Sequence, residues 1–257
     1  MVFRLQFGQA LGLFAAALLA LGSAGCRVTR TGIYPIGLYS VGSETNLAEI
    51  AEAGFSLVAG PAQRGFLDEA KANGIGVMAS PGSSAGENFD EAKVRSTVAK
   101  LDRHPALWSW YLIDEPDMQH VSPEKVEAAH RVVKQAGASK PTSLVLYQGD
   151  SAKWYGNIAD ITMVDRYPVP WLPLANFSQH IHKSRLATNE ERPLIAVIQS
   201  FDWTAHQSVL PGEENLRPPT ERELRSMTYS SLARGANGIF YFSYADMRLK
   251  DRKYPEL

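Results

Sequence analysis

The residues best suited to chemistry in this chain are acids that follow apolar runs. Residues 107–117 read LWSWYLIDEPD, a seven-residue apolar and aromatic run that ends in two adjacent carboxylates and a proline. A buried parallel strand that delivers acids to a surface has this form. Glu115 is the first candidate, because apolar surroundings raise a carboxyl pKa and keep a proton available for transfer to a leaving oxygen. The plainer alternative is that Asp114 and Glu115 open the loop to the next helix, helped by Asp117 and Pro123. A second carboxylate has two candidates: Asp165, within ITMVDRY, and Asp202, just after LIAVIQS.

Such acids need elements to hold them, and the chain supplies a regular rhythm. Strand-like runs fall at 33–41, 55–59, 75–79, 107–113, 142–147, 161–167, 194–200 and 238–244. Helical spacing falls between them at 46–53, 62–73, 89–101, 123–135, 152–158, 174–186 and 220–234. Strands that are apolar on both faces and alternate with helices imply a parallel sheet covered on both sides. Eight of them within 257 residues, with no shift in composition between halves, predict an α/β fold of the (β/α)8 (TIM) barrel type rather than an open doubly wound sheet. Residues 247–257 leave little room for a closing helix, so either an incomplete outer ring or a truncated polypeptide is expected.

In such a barrel the site lies at the carboxyl ends of the strands. Those positions offer Tyr39, Asp114 and Glu115, Tyr147 and Gln148, Asp165 and Tyr167, Gln199, Asp202 and Trp203, and Tyr244 and Asp246. Acids, phenols and indoles dominate, with no Ser-His-Asp set and no phosphate-cradling glycine loop. The mixture suits carbohydrate: sugar faces stack on aromatic rings, hydroxyls need polar partners, and glycosidic cleavage needs one carboxylic acid and a second carboxylate. Trp154, Trp171 and Trp203 lie in or beside loops and are candidate sugar platforms. Trp108 and Trp110 read as core.

Asp114-Glu115-Pro116 resembles the Asn-Glu-Pro signature of clan-A glycoside hydrolases, retaining (β/α)8 enzymes in which that glutamate is the acid/base. Asp165-Arg166-Tyr167 is similar to their sixth-strand His-x-Tyr, whose tyrosine supports the nucleophile, and 238–244 is similar to their Gly-containing eighth strand. The resemblance follows the order of elements over the whole mature chain, on short motifs. It implies Glu115 as general acid and Tyr167 as the donor that orients a second carboxylate. The sequence departs from it at Asp114 in place of asparagine, at Asp165 in place of histidine, and at Phe242 or Tyr244 in place of tryptophan. The largest departure is on the seventh strand, where the nucleophilic glutamate is expected and Gln199 stands instead.

Three readings follow. In the first, Asp202 or Asp165 supplies the second carboxylate of a glycosidase acting on a neutral oligo- or polysaccharide. In the second, the protein binds a glycan without cleaving it. In the third, Asp114, Glu115, Asp165, Asp202 and Asp246 hold a divalent cation. His180 and His182 are two apart on a helix and His206 lacks a spaced partner, so zinc is not expected and no cofactor is implied.

A net charge of −1 gives no basic field for nucleic acid. Residues 1–26 form a separate unit: Arg4, an apolar run at 11–21 and Ser23-Ala24-Gly25 compose a signal peptide. Its run is too short to span a bilayer. Cys26, the only cysteine, follows at once, and the end of the segment resembles the lipobox of bacterial lipoproteins, except that Ser23 stands at a usually aliphatic position. The expectation is an exported protein anchored to a membrane by lipid on Cys26, or else a secreted one, with 27–257 forming one barrel domain.

Overall fold

The computed structural model of the protein describes residues 34–189 and 191–247. The leader and Cys26 lie outside the described residues. Eight strands, β1 (Ile36–Leu38), β2 (Leu57–Ala59), β3 (Gly76–Ala79), β4 (Leu107–Ile113), β5 (Thr142–Leu146), β6 (Ile161–Asp165), β7 (Leu194–Gln199) and β8 (Gly238–Phe242), form a closed barrel in chain order. Every pairing is parallel, and β8 returns to β1 through Ile36↔Ile239, Gly37↔Phe240 and Leu38↔Tyr241. The helices are α1 (Leu47–Glu52), α2 (Arg64–Ala72), α3 (Glu91–Leu101), α4 (Pro123–Gln135), α5 (Ala152–Tyr155), α6 (Ala175–Ala187), α7 (Glu221–Ala233) and α8 (Tyr244–Met247). The (β/α)8 expectation is therefore met, and residues 248–257, on which the expectation about the closing helix falls, lie outside the described residues.

Capping side chains start several helices where the sequence indicates. Asn46 accepts from Ala48 N and Asp90 from Lys93 N. Thr220 and Glu223 form a reciprocal capping box at α7. Arg217 holds Glu223 in a fork of 2.7 and 2.8 Å, which keeps that carboxyl well down, at about 2. At the amino-terminal end of the barrel, Asp102 accepts from Trp110 Nε1, from Ser139 N and Oγ, and from Lys140 N. Burial alone would raise its pKa, but these donors outweigh it and hold Asp102 below the usual carboxylate range.

The interior is filled by matching large side chains to glycines. The Phe240 ring lies over Gly37, so a methyl group added there would collide with it. The same pairing recurs where a Cβ on Gly76 would stand 2.6 Å from Leu57 Cδ2, and one on Gly238 2.6 Å from Ile195 Cδ1. Met78, Val145, Met163 and Val197 complete this apolar cluster. β4 breaks the simple alternation. Its register slips against β3 and again against β5, so Trp108 and Tyr111 both pack against the interior while Trp110 faces the outer, helix-covered core.

Overfilling a close-packed core costs about 1–3 kcal/mol. Gly37→Ala is accordingly expected to lower stability by about that amount in urea denaturation, with partial recovery in the Gly37→Ala/Phe240→Leu double variant. An unchanged midpoint for the single variant would show that the Gly37–Phe240 fit does not govern closure.

Candidate active site

β4 ends at Ile113, and the next two residues are held in place by the backbone. Glu115 N donates to Val145 O at 3.0 Å, extending the β4–β5 ladder by one bond. Its carbonyl then accepts from Met118 N and Gln119 N, both at 3.0 Å, closing a turn. Glu115 adopts φ +41, a left-handed conformation that a non-glycine residue holds only when its surroundings fix it. Asp117 anchors the neighbouring loop, accepting from Tyr147 N at 3.0 Å and Gln148 N at 2.9 Å.

Three carboxyl groups meet at the barrel mouth. Tyr111 Oη donates to Asp114 Oδ1 at 2.5 Å, and Tyr167 Oη donates to Asp165 Oδ2 at 3.0 Å. Asp165 is 4% exposed, and its Oδ1 has no hydrogen-bond partner. Glu115 lies against Asp165, and the interaction between the two carboxyls raises Asp165 and lowers Glu115. Burial, then the charges of Glu115 and Asp114, push Asp165 well above its ordinary value. Glu115 is raised mainly by burial, with Asp114 and Asp117 adding to the effect and Arg166 opposing it. Asp114 is also raised by burial, although its side chain is open to solvent. Dense surrounding protein combined with solvent access is what the floor of a concavity provides, and solvent there screens the charge too strongly for the shift to be read as stability.

Aromatic rings wall this mouth. Tyr39 packs edge-on to Tyr111 at 6.2 Å and against Phe242 at 5.8 Å. Phe242 in turn lies 5.6 Å from Tyr167, which is 6.3 Å from Trp203. Trp171, 42% exposed, extends the wall outward at 5.6 Å from Trp203. The Arg166 guanidinium lies over the Tyr147 ring at 4.4 Å, and its Nε donates to Asn176 Oδ1.

The remaining sequence candidates occupy other places. Gln199, on the strand where a nucleophile is expected, is fully buried and uses both ends of its amide on one residue: Oε1 accepts from Val169 N at 3.0 Å and Nε2 donates to Val169 O at 2.9 Å. Trp203 Nε1 donates to the same carbonyl at 2.8 Å. The β6 loop bearing Trp171 is thus tied to β7. Asp202 caps the 3₁₀ segment Trp203–Val209 by accepting from Thr204 N, and the charges acting most strongly on Glu115 and Asp165 do not include it. Tyr244 opens α8, its N donating to Tyr39 O. Gln148 is exposed beside Asp117. Trp154 is 63% exposed on α5, with Lys153 over its ring. Asp246 accepts from Ser243 Oγ and pairs with His206 at 3.3 Å. Because the carboxylate sits between serine and histidine, this trio cannot activate the serine by the usual relay. Among the described residues no grouping of three or more His, Cys, Asp or Glu is placed to hold a metal ion.

Sequence reasoning missed Tyr111 as a wall residue and Arg166 as the cation acting on Glu115, and of Phe242 and Tyr244, the two residues named in place of tryptophan, it is Phe242 that packs in the wall. The Tyr111 position depends on the β4 register slips, which leave no mark in the alternation of residue types.

No family model matches the chain, and no curated protein matches it in sequence. Solved structures of similar fold include a candidate beta-galactosidase from Bacteroides fragilis, at TM-score 0.60 and 13% identity, covering 82% of this chain and 36% of that one. A beta-glucuronidase from Ruminococcus gnavus in complex with D-glucaro-d-lactam matches at TM-score 0.55 and 9% identity, covering 82% of this chain and 43% of that one. The endo-alpha-mannosidase from Bacteroides thetaiotaomicron matches at TM-score 0.55 and 12% identity, covering 77% of this chain and 64% of that one. The chain therefore spans less than two thirds of each, and at identities this low the likeness shows the barrel fold alone.

The mouth acids have a thermodynamic signature. Because their folded pKa values exceed the unfolded ones, the native state binds more protons than the unfolded state above about pH 4, and their contribution to stability falls as pH rises. Asp165→Asn, which keeps an acceptor for Tyr167, is expected to melt close to the parent near pH 4 and progressively above it toward pH 8, by about 2–4 °C for each kcal/mol relieved. A difference in melting temperature that does not change with pH would remove the case for a proton-sharing pair.

Proposed function

We propose that this barrel is a glycoside-hydrolase-type protein that takes a saccharide at its mouth and cleaves a glycosidic bond, with Glu115 as proton donor. The observation that carries the reading is the placement of Glu115 against the buried Asp165, within a wall of aromatic rings at the carboxyl ends of the strands. Burial raises the Glu115 carboxyl, the direction that favours the protonated form a general acid needs. Asp165 adjoins Glu115: Glu115 gives its proton to the departing oxygen, a water oxygen bonds the anomeric carbon in its place, and the proton that this water loses returns to Glu115 through Asp165. Tyr167 fixes Asp165 by donating to it. Tyr39, Trp171 and Trp203 supply faces on which sugar rings stack.

A specific observation favours a second reading, glycan binding without cleavage: the strand-seven position is occupied by Gln199, whose amide is committed to Val169. The cation-dependent alternative gains no support from the side-chain arrangement among the described residues. We place the protein at the bacterial cell envelope, exported and held by lipid on Cys26. That part of the proposal rests on the leader sequence and is tested by whether Cys26→Ser releases the protein from membranes.

The catalytic test is a glycan panel assayed for both binding and hydrolysis. On any cleaved glycan, Glu115→Gln is expected to reduce turnover by about 10²–10⁴-fold while binding persists. Asp202→Asn should lose far less, and a chelator should change nothing. Binding without cleavage by the unmodified protein would establish the second reading. Undiminished hydrolysis by Glu115→Gln would remove Glu115 from the chemistry.

A further inference from the structure

The loop after β6 makes a tight turn whose tip is apolar and open to solvent. Leu172 N donates to Pro168 O at 2.7 Å, closing residues 168–172, and the tip carries Trp171 at 42% exposed and Leu172 at 38%. The turn is fixed at Val169, which is buried. The Gln199 amide, itself fully buried, bonds both the N–H and the carbonyl of this residue, and that carbonyl takes a second donor, Trp203 Nε1, at 2.8 Å. A buried amide costs free energy unless its hydrogen bonds are made. Here they are made to a loop, and they fix a surface tryptophan rather than a core one. The Trp171 ring lies 5.6 Å from Trp203, which stands 6.3 Å from Tyr167, the residue bonded to Asp165. The aromatic surface thus continues outward from the acids by two rings, and the outermost is the most exposed of the three.

We propose that Gln199 is a positioning residue for an outer sugar subsite: by fixing Val169 it holds the Trp171 face where the second ring of a bound glycan stacks, so that the protein takes an oligosaccharide of at least two rings in preference to a single sugar. This inference rests on the carbohydrate reading above and adds to it a requirement on chain length. A loop tied down for stability alone would gain more by burying its tryptophan. A tip that is both rigid and exposed gains instead on binding, because a loop already held in its bound conformation loses less freedom when a sugar face stacks on it.

The test reads affinity against chain length. Glucose, mannose, galactose and xylose, and the β-1,4-linked di- and trisaccharides of each, are titrated by calorimetry against the full chain. In at least one series the trisaccharide is expected to bind roughly three- to tenfold more tightly than the single sugar, the range that one aromatic contact contributes. Trp171→Ala should remove that preference, and Gln199→Met, which keeps the length of the side chain without its amide, should reduce it. The Gln199→Met/Trp171→Ala double variant should match Trp171→Ala, because Gln199 acts through the indole. An amide of purely structural importance would instead weaken single sugar and trisaccharide alike and leave their ratio in place. If the single sugar binds as tightly as the trisaccharide, or if the preference survives either single variant intact, the inference is overturned and the carbohydrate reading stands. If none of these sugars binds, both fail. Should Gln199→Met not fold, Gln199→Glu, which keeps the acceptor for Val169 N and loses the donor to Val169 O, takes its place with the same expected outcomes.

Discussion

Closure of the barrel is the constraint on which everything else rests. Eight parallel strands make a ring only if β8 can lie beside β1, and here that seam carries the Phe240 ring over Gly37. Once the ring is closed, each strand must deliver its carboxyl end to the same side. Tyr39, Glu115, Asp165, Gln199 and Phe242, scattered over more than 200 positions of chain, then have no choice but to meet. The opposite end carries the structural polar contacts, such as the set around Asp102, where donors are plentiful and the carboxylate is held ionised.

The two ends thus treat acids in opposite ways. Asp102 is given four donors and its pKa falls. Asp165 is given one, from Tyr167, and its pKa rises. Donors outweigh burial at Asp102, whereas burial and the neighbouring charges of Glu115 and Asp114 prevail over the Tyr167 hydroxyl at Asp165. Asp102 is thus held toward its ionised form by the fold, whereas the mouth acids are held toward their protonated forms.

Much of this was legible in the sequence. β5, β6 and β7 are buried at every position, and so read as mainly apolar runs. The rule that sites follow strand ends selected Asp114, Glu115, Asp165 and Tyr167. The strand limits were less legible: Tyr147, Tyr167 and Tyr244 were counted within strands that end earlier. At the mouth, backbone N–H groups find partners other than the next strand. Tyr147 N, for instance, bonds the Asp117 carboxylate, and nothing in local composition distinguishes that partner from a ladder carbonyl. β4 hid more. An alternating pattern puts Trp108 and Trp110 on one face, but the slipped register separates them and turns Tyr111 inward.

The Gln199 clamp has a consequence for how such a barrel could change its chemistry. A carboxylate at that position would still accept from Val169 N, but it would set an acceptor against the Val169 carbonyl where an amide N–H now donates. The loop holding Trp171 would lose one of its two ties to that carbonyl, leaving Trp203 as the other. Residue 199 therefore belongs to the mechanics of the loop before it can belong to the reaction. Introducing a strand-seven carboxylate and holding the β6 loop are therefore coupled demands on one position.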